Sequence, residues 1–324
     1  MMKAAIIRAA GDKPIYCDFA NPAATPGAEV ITVTASALSQ FSKSRSSGNH
    51  YSSDAEFPVI AGADGVGITS DGKRVYFVMP VAPYGALAEQ TLVSPKLTVP
   101  IPDELDDATA AAIANPGMSA WAALVERADL KAGETVLING ATGSAGRLAV
   151  QIAKHLGAGK VIATGRNEAE LEELRLIGAD TVVPFKLGLL HPTGEKKYEA
   201  AIKDAIAGGV NVILDYLWGK SARTVMAAIV RNIEDATPVR FVHVGGASGE
   251  ESIDLPGAAL RSSSIQLMGS GLKSVPLEKL LAAIANVFAI TKFANLQIAT
   301  RTVPLSSIEE AWDAPGKPRL VVRI

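Results

Sequence analysis

Residues 135–146 read Thr135-Val136-Leu137-Ile138-Asn139-Gly140-Ala141-Thr142-Gly143-Ser144-Ala145-Gly146, and this stretch decides the fold. Thr135 to Asn139 is a short apolar, β-branched run, the pattern of a strand buried on both faces. Beyond it Ala145, Leu148, Ala149, Ile152, Ala153 and Leu156 recur at helical spacing, and Gly157 stands at the stop. A strand, a glycine-rich turn and a helix in that order form the context in which a dinucleotide's pyrophosphate is held. Glycine permits the tight turn and a close backbone approach, and the free N–H groups at the positive end of the helix hold the anion. The competing reading is a glycine-rich turn with no ligand. Thr142, Gly143, Ser144, Ala145 and Gly146 are the candidate phosphate contacts.

Working outward towards the C-terminus, β-branched runs alternate with amphipathic ones. Strands are predicted at Lys160 to Thr164, Thr181 to Val183, Asn211 to Leu214, Val239 to Val244 and Ser264 to Met268, and helices at Glu168 to Ile177, Tyr198 to Ala207 and Lys220 to Ile229. This is the α/β pattern of a doubly wound parallel sheet of about six strands. At the end of its second strand an NAD site wants an acidic residue for the ribose 2′-hydroxyl. The chain has Thr164-Gly165-Arg166-Asn167 instead. Gly165 leaves room for a 2′-phosphate and Arg166 offers it a bidentate charged partner, so the expected cofactor is NADP(H). The alternative for Arg166 is a solvated surface cation. Asn167, with Glu170 three positions on, also has the spacing of a capping box. Glu168 and Glu170 suit a helix N-terminus but would repel a phosphate that they faced. Gly245 and Gly246 follow a strand's carboxyl end, where such a sheet opens its crevice, and Ser270 is a weaker candidate of the same kind. His243 reads as a satisfied core histidine within its strand.

Towards the N-terminus the texture changes. Residues 1 to about 110 carry short strand-like runs broken by Gly and Pro, such as Glu29 to Thr34 and Arg74 to Val78, with a turn at Asp71-Gly72. The Ser-rich stretch Ser42 to Asp54 is expected to be an exposed loop. The tail, Pro276 to Ile324, reads as one helix followed by strand-like runs that return to the first domain. The 324 residues suit two domains, with 48% hydrophobic and 20% charged residues. A net charge of −2 offers no basic face for nucleic acid. Cys17 is the single cysteine and His50, His155, His191 and His243 are scattered, so neither a disulfide within the chain nor a thiolate metal cluster is expected. No apolar run reaches the roughly 18 residues that span a bilayer, and the apolar start reads as a strand rather than a signal peptide. A soluble, cytoplasmic protein is the expectation.

Taken together, these residues resemble the medium-chain dehydrogenase/reductase superfamily, nearly end to end. The resemblance is carried by MKAAII at residues 2–7, ASALSQFSKSRSSGNHY at 35–51, FPVIAGADGVG at 57–67 and PYGALAEQTLVSP at 83–95. It continues through NPGMSAWAALVERADLKAGETVLINGATGSAGRLAVQIAKHLGA at 115–158, NVILDYLWG at 211–219, FVHVGGASG at 241–249 and VPLSSIEEAW at 303–312. It implies a GroES-like β-barrel catalytic domain over 1–118, completed by 271–324, and a Rossmann domain over 119–270. Where zinc-dependent members have a Cys, a His in a G-H-E motif and a later Cys, this chain has Ser39, Ala63 beside Asp64, and Asn115 or Pro116. The four-cysteine structural zinc lobe is missing too. The branch that it resembles is therefore the zinc-free quinone oxidoreductases.

The activity implied is NADPH-dependent transfer of hydride to a quinone or an α,β-unsaturated carbonyl without a Lewis acid. The alternative is an NADPH-binding structural or regulatory protein with little catalysis. Tyr51 sits where related reductases read R-S-G-x-Y, which implies a role in proton delivery. One extra residue precedes it, so His50 is the competing donor, and an ordinary packed loop aromatic is the bland reading. Ser119, expected at the start of a helix after Pro116-Gly117, stands where the family has a Thr near the nicotinamide. Similar enzymes pair their last Rossmann strand edge to edge, which implies a homodimer through Ser264 to Met268.

Overall fold

The computed structural model describes residues 1–46 and 56–324. They divide into two units, Met1–Asn115 with Ile284–Ile290 and Gln297–Ile324, and Pro116–Ala283 with Thr291–Leu296.

In the second unit six apolar runs pair into one sheet. Their spatial order is Thr181–Pro184, Lys160–Gly165, Thr135–Asn139, Val212–Asp215, Pro238–His243 and Ser264–Gly269. Every pairing is parallel. In chain order this is 3-2-1-4-5-6, the doubly wound arrangement. Its two central strands, Thr135–Asn139 and Val212–Asp215, lie side by side with Asn139 opposite Asp215, and the crevice of such a sheet opens just beyond those carboxyl ends. Leu137, Ile162, Ile213 and Phe241 of the strands are buried together with Tyr198, Ile202, Val225 and Ile229 of the helices Gly194–Ala205 and Gly219–Asn232. Each such side chain contributes roughly 1.5–3 kcal/mol on burial. The helix Ser144–His155 follows the glycine turn, and Gly157, at φ 88°, turns the chain out of it.

The helix Asp107–Trp121 continues through Pro116 into a π-helical turn, Ala122–Arg127. Ser119 therefore lies in the last turn of a helix and not at its start. Proline removes one backbone donor, and the alanine-rich run before it sustains the helix. The Ser119 hydroxyl donates to Pro116 O, three residues back, at 3.0 Å.

In the first unit, Met2–Ile7 pairs antiparallel with Ile15–Phe19 and with Val59–Ile60. A larger sheet is built on Glu29–Ala37, which pairs with Asp64–Ile68, Gln90–Val93 and the C-terminal Arg319–Arg323. Thr300–Pro304 extends it beyond Arg319–Arg323, so the tail closes onto the N-terminal strands. Ile31, Val33, Val75, Phe77, Ala86 and Val93 fill its core.

The expected exposed loop from Ser42 to Asp54 is corrected over its first part. Gln40–Ser46 is a helix whose start is capped by Ser39, with Oγ accepting from Ser42 N at 2.9 Å. Ser42 and Ser46 are buried, because their hydroxyls have protein partners: Ser42 Oγ donates to Asp64 Oδ1 at 3.1 Å, and Ser46 Oγ accepts from Gly62 N at 3.0 Å. His50 and Tyr51 lie outside the described residues.

Candidate dinucleotide-binding site

Gly140 leaves the first strand at φ 87°, a conformation that favours glycine. Gly143 is the N-cap of Ser144–His155, with extended backbone and no side chain to cap the helix. The N–H groups of the first turn thus have neither a carbonyl nor a side-chain acceptor, and they form a ready anion site. Gly146 has a steric reason for its identity: a Cβ there would lie 2.5 Å from Gly140 O and 2.6 Å from Ala141 Cα. The helix consequently starts pressed against the turn, as the approach of a pyrophosphate requires. Thr142, Gly143, Ser144 and Ala145 are partly exposed around it.

A buried polar network fixes the strand ends beneath this turn. Asn139 Nδ2 donates to Asp215 Oδ1 at 2.8 Å, and Asn139 Oδ1 lies 2.8–2.9 Å from the hydroxyls of Thr164, Tyr198 and Ser221. Thr164 Oγ1 also accepts from Gly140 N at 3.3 Å, tying the second strand to the turn itself. Asp215, fully buried, further accepts from Leu217 N and Trp218 N and faces His243 Nδ1 at 2.9 Å. His243 is the last residue of its strand, one third exposed and packed on the Trp218 ring, and so is held at the sheet's edge rather than in the core. Asn139 and Asp215 escaped the sequence reading, which took Asn139 as the plain end of one strand and stopped the other at Leu214, one residue before Asp215.

At the end of the second strand Gly165 also has a packing reason for its identity. A Cβ there would meet Thr142 Cγ2 at 2.7 Å and Leu171 Cδ2 at 3.2 Å, so the position is set by packing of the protein on itself. Arg166 is exposed, and among the described residues no carboxylate pairs with it. Asn167 caps the helix Glu168–Arg175, accepting from Glu170 N at 3.2 Å and donating to Glu170 Oε1 at 3.4 Å, and Glu168 lies 3.7 Å from Lys186. Both carboxylates thus have partners of their own. On the other side of the central strands, Gly245 and Gly246 follow Pro238–His243, the first partly exposed and the second exposed. Ser270 follows Ser264–Gly269, with its N–H donating to His243 O at 2.9 Å.

The first unit holds a separate polar cluster. Asp64 is buried and accepts from Tyr76 Oη at 2.6 Å as well as from Ser42. Burial pushes its carboxyl above the ordinary carboxylate value, against the opposing pull of Tyr76, Arg319 and Ser42. Among the described residues no three His, Cys, Asp or Glu side chains converge as metal ligands, and no helix is long and apolar enough to cross a membrane.

Comparison with known proteins bears on this geometry. The family described as zinc-binding dehydrogenase matches residues 145–286. A probable NADPH-dependent quinone reductase of Emericella nidulans is 28% identical over 95% of this chain and 96% of its own length. A chloroplastic NADPH-dependent alkenal/one oxidoreductase of Arabidopsis thaliana is 32% identical, over 48% of this chain and 44% of its own. The solved quinone oxidoreductase of Thermus thermophilus, described with its NADPH complex, superposes with a TM-score of 0.79 over the full length of both chains, at 22% identity. That last likeness speaks to the fold.

Proposed function

We propose, for a chain that belongs to the quinone oxidoreductase-like branch of the medium-chain dehydrogenase/reductase superfamily, the reduction of quinones or α,β-unsaturated carbonyls by NADPH without zinc. The chain is an oxidoreductase built from a Rossmann domain and a GroES-like domain, and its cofactor is NADP(H). The observation that carries the reading is the uncapped helix start at Gly143, with Gly146 pressed against Gly140: a pyrophosphate fits donors that the protein itself leaves without acceptors.

In this reading Thr142, Gly143, Ser144, Ala145 and Gly146 hold the pyrophosphate. Gly165, Arg166 and Asn167 flank the adenosine end, with the Arg166 guanidinium on the 2′-phosphate. Ser119, Gly245, Gly246 and Ser270 serve the nicotinamide end. When bound, NADPH supplies the hydride. The chain's own contribution is orientation of cofactor and acceptor, together with a proton donor for the reduced oxygen. Tyr51 is that donor in this proposal. Zinc independence is supported by the residues at the family's ligand positions: Ser39 is occupied as a helix cap, Ala63 carries no donor atom, and the Asp64 carboxylate is hydrogen-bonded to Tyr76 and Ser42.

A homodimer belongs to the same proposal. Ser264–Gly269 is an edge strand with Leu267 41% exposed, and pairing with a second copy would cover an edge that otherwise invites aggregation.

The experiment is a panel of quinones, enals and enones mixed with purified protein and NADPH, followed by NADPH absorbance, with elemental analysis alongside. The expected result is oxidation by at least one acceptor class, unaffected by chelators, with far less than one zinc per chain. Tight NADPH binding with no turnover on any acceptor would overturn the catalytic reading. Stoichiometric zinc would overturn the mechanism.

A further inference from the structure

Tyr216 follows directly on the strand Val212–Asp215, where the two central strands of the parallel sheet end. Its N–H donates to Asn139 O at 3.1 Å, which pins it beside the last residue before the glycine turn. Its carbonyl accepts from Ala247 N at 3.0 Å, and a Cβ placed on Gly245 would lie 3.5 Å from that same oxygen. Tyr216 thus stands between the pyrophosphate cradle and the Gly245-Gly246 turn, at the point where the chain's course around the sheet reverses and ligands settle.

The residue is 9% exposed, and its hydroxyl is buried with no partner at good hydrogen-bond geometry; the Ser119 hydroxyl, which acts on it, already donates to Pro116 O. Thr91 and Arg319 also carry buried side-chain atoms in that condition among the described residues, but both belong to the first unit; in the second unit Tyr216 stands alone. A buried donor with no well-aligned acceptor is a standing penalty that phenylalanine would avoid at nearly the same volume. Burial holds the phenol well above its ordinary value, with the Ser119 hydroxyl acting the other way, so at neutral pH the group is a neutral donor close to Ser119. His243 and Asp215, two polar side chains near this edge, are already bonded to each other.

We infer that Tyr216 donates a hydrogen bond to the nicotinamide half of the dinucleotide, beside Ser119; the inference rests on the NADP(H) reading above. The half is assigned by sheet order. Arg166 follows the strand on one side of Thr135–Asn139, and Tyr216 follows the strand on the other. A dinucleotide is extended about its pyrophosphate. With that group at the helix start and the 2′-phosphate at Arg166, its other half runs over Val212–Asp215 and Pro238–His243. The acceptors it brings there are uncharged, a carboxamide carbonyl and ribose oxygens, and they match a neutral phenol.

Tyr216→Phe tests this through binding and melting, without turnover. In the ligand-free protein the melting temperature should be unchanged or raised. NADPH and NADH should each bind about 3- to 10-fold more weakly in fluorescence or calorimetric titrations, the range of one neutral hydrogen bond. Binding of 2′-phospho-ADP-ribose, which lacks the nicotinamide, should equal wild type. If wild-type protein binds none of the three, it is the NADP(H) reading that fails. If wild type binds NADPH and the Phe variant binds it equally well, or loses the fragment to the same degree, Tyr216 makes no contact with the nicotinamide half. A lower melting temperature with unchanged binding would likewise overturn the inference and make the hydroxyl structural.

Discussion

Arg166→Ala is the sharpest perturbation of cofactor choice. The residue is exposed, lies outside any regular element and pairs with no carboxylate among the described residues, so its removal disturbs no native contact. Surface changes of this kind usually move stability by less than about 0.5 kcal/mol. The whole effect should therefore fall on the 2′-phosphate. A hydrogen bond to a charged group is worth about 1.5–3 kcal/mol, and solvent exposure places this one near the lower end, about 10-fold in affinity. Glu168 and Glu170 do not cancel the gain, since Lys186 and the Asn167 cap engage them. Fluorescence titration should give a ~10-fold weaker NADPH complex, an unchanged NADH complex and an unchanged melting temperature. Because the pair is exposed, the preference of wild type for NADPH should also shrink as salt shortens the Debye length from about 10 Å at 0.1 M. Arg166→Lys should retain part of the preference, as a point charge without the bidentate fork. Equal losses for both cofactors, or a salt-independent preference, would refute the assignment.

The remaining predictions follow from packing and protonation. Gly146→Ala sets a methyl 2.5 Å from Gly140 O, a backbone atom that cannot rotate away, so the variant should lose about 1–3 kcal/mol in urea unfolding and bind NADPH poorly; wild-type values for both would show that the turn can shift. Tyr76→Phe removes a donor to the buried Asp64 carboxylate. Burial holds the Asp64 carboxyl above its unfolded value, so its contribution to stability is greatest at low pH and is lost as pH rises from the unfolded towards the folded value. The variant lifts the folded value further, and its penalty, about 1–3 kcal/mol, should be larger at about pH 7 than at about pH 4; a pH-independent penalty would contradict this. Leu267→Lys places a charge on the open sheet edge and should shift light scattering from dimer towards monomer with little change in NADPH affinity. Tyr51→Phe should lower kcat by roughly 10- to 1000-fold while sparing NADPH binding, and full kcat on every acceptor would make that tyrosine a packing residue.

Much of the Rossmann half was legible because its signals are local. Residues 135–139 have the apolar centre Val136-Leu137-Ile138, Ser144 to His155 has a single apolar face, and glycines mark the turns and helix ends where backbone conformation demands them. Partnership between distant residues is not local, and there the sequence misled. Ser42 and Ser46 read as loop because serine is polar, yet their hydroxyls are consumed by Asp64 and Gly62, which belong to the strand region that follows. Ser119 read as a helix start because Pro116-Gly117 breaks most helices, whereas this proline removes a single donor from a long alanine-rich helix. Gly165 read only as room for a phosphate, and its close packing on Thr142 and Leu171 was invisible in the sequence. Tyr216 gave no signal at all, since an orphaned hydroxyl exists only once the chain has folded around it.

The proposed zinc independence rests on what now occupies the positions that bind zinc in zinc-dependent members of the superfamily. Ser39 Oγ caps the helix Gln40–Ser46. Ala63 is buried, and its carbonyl accepts from Met79 N at 2.8 Å. Asp64 accepts from Tyr76 and Ser42 while the buried charge of Arg319 acts on it from the C-terminal strand. A cysteine at 39 would surrender the cap, at a cost of about 1 kcal/mol. A histidine at 63 would need volume that an alanine 3% exposed does not have. Building a metal site would thus mean dismantling the Ser39 cap and the hydrogen bonds of Asp64 with Tyr76 and Ser42, several residues at once. Under the proposed function such a chain works on substrates that accept hydride without a Lewis acid, the chemistry of quinones and activated alkenes rather than of simple ketones or alcohols.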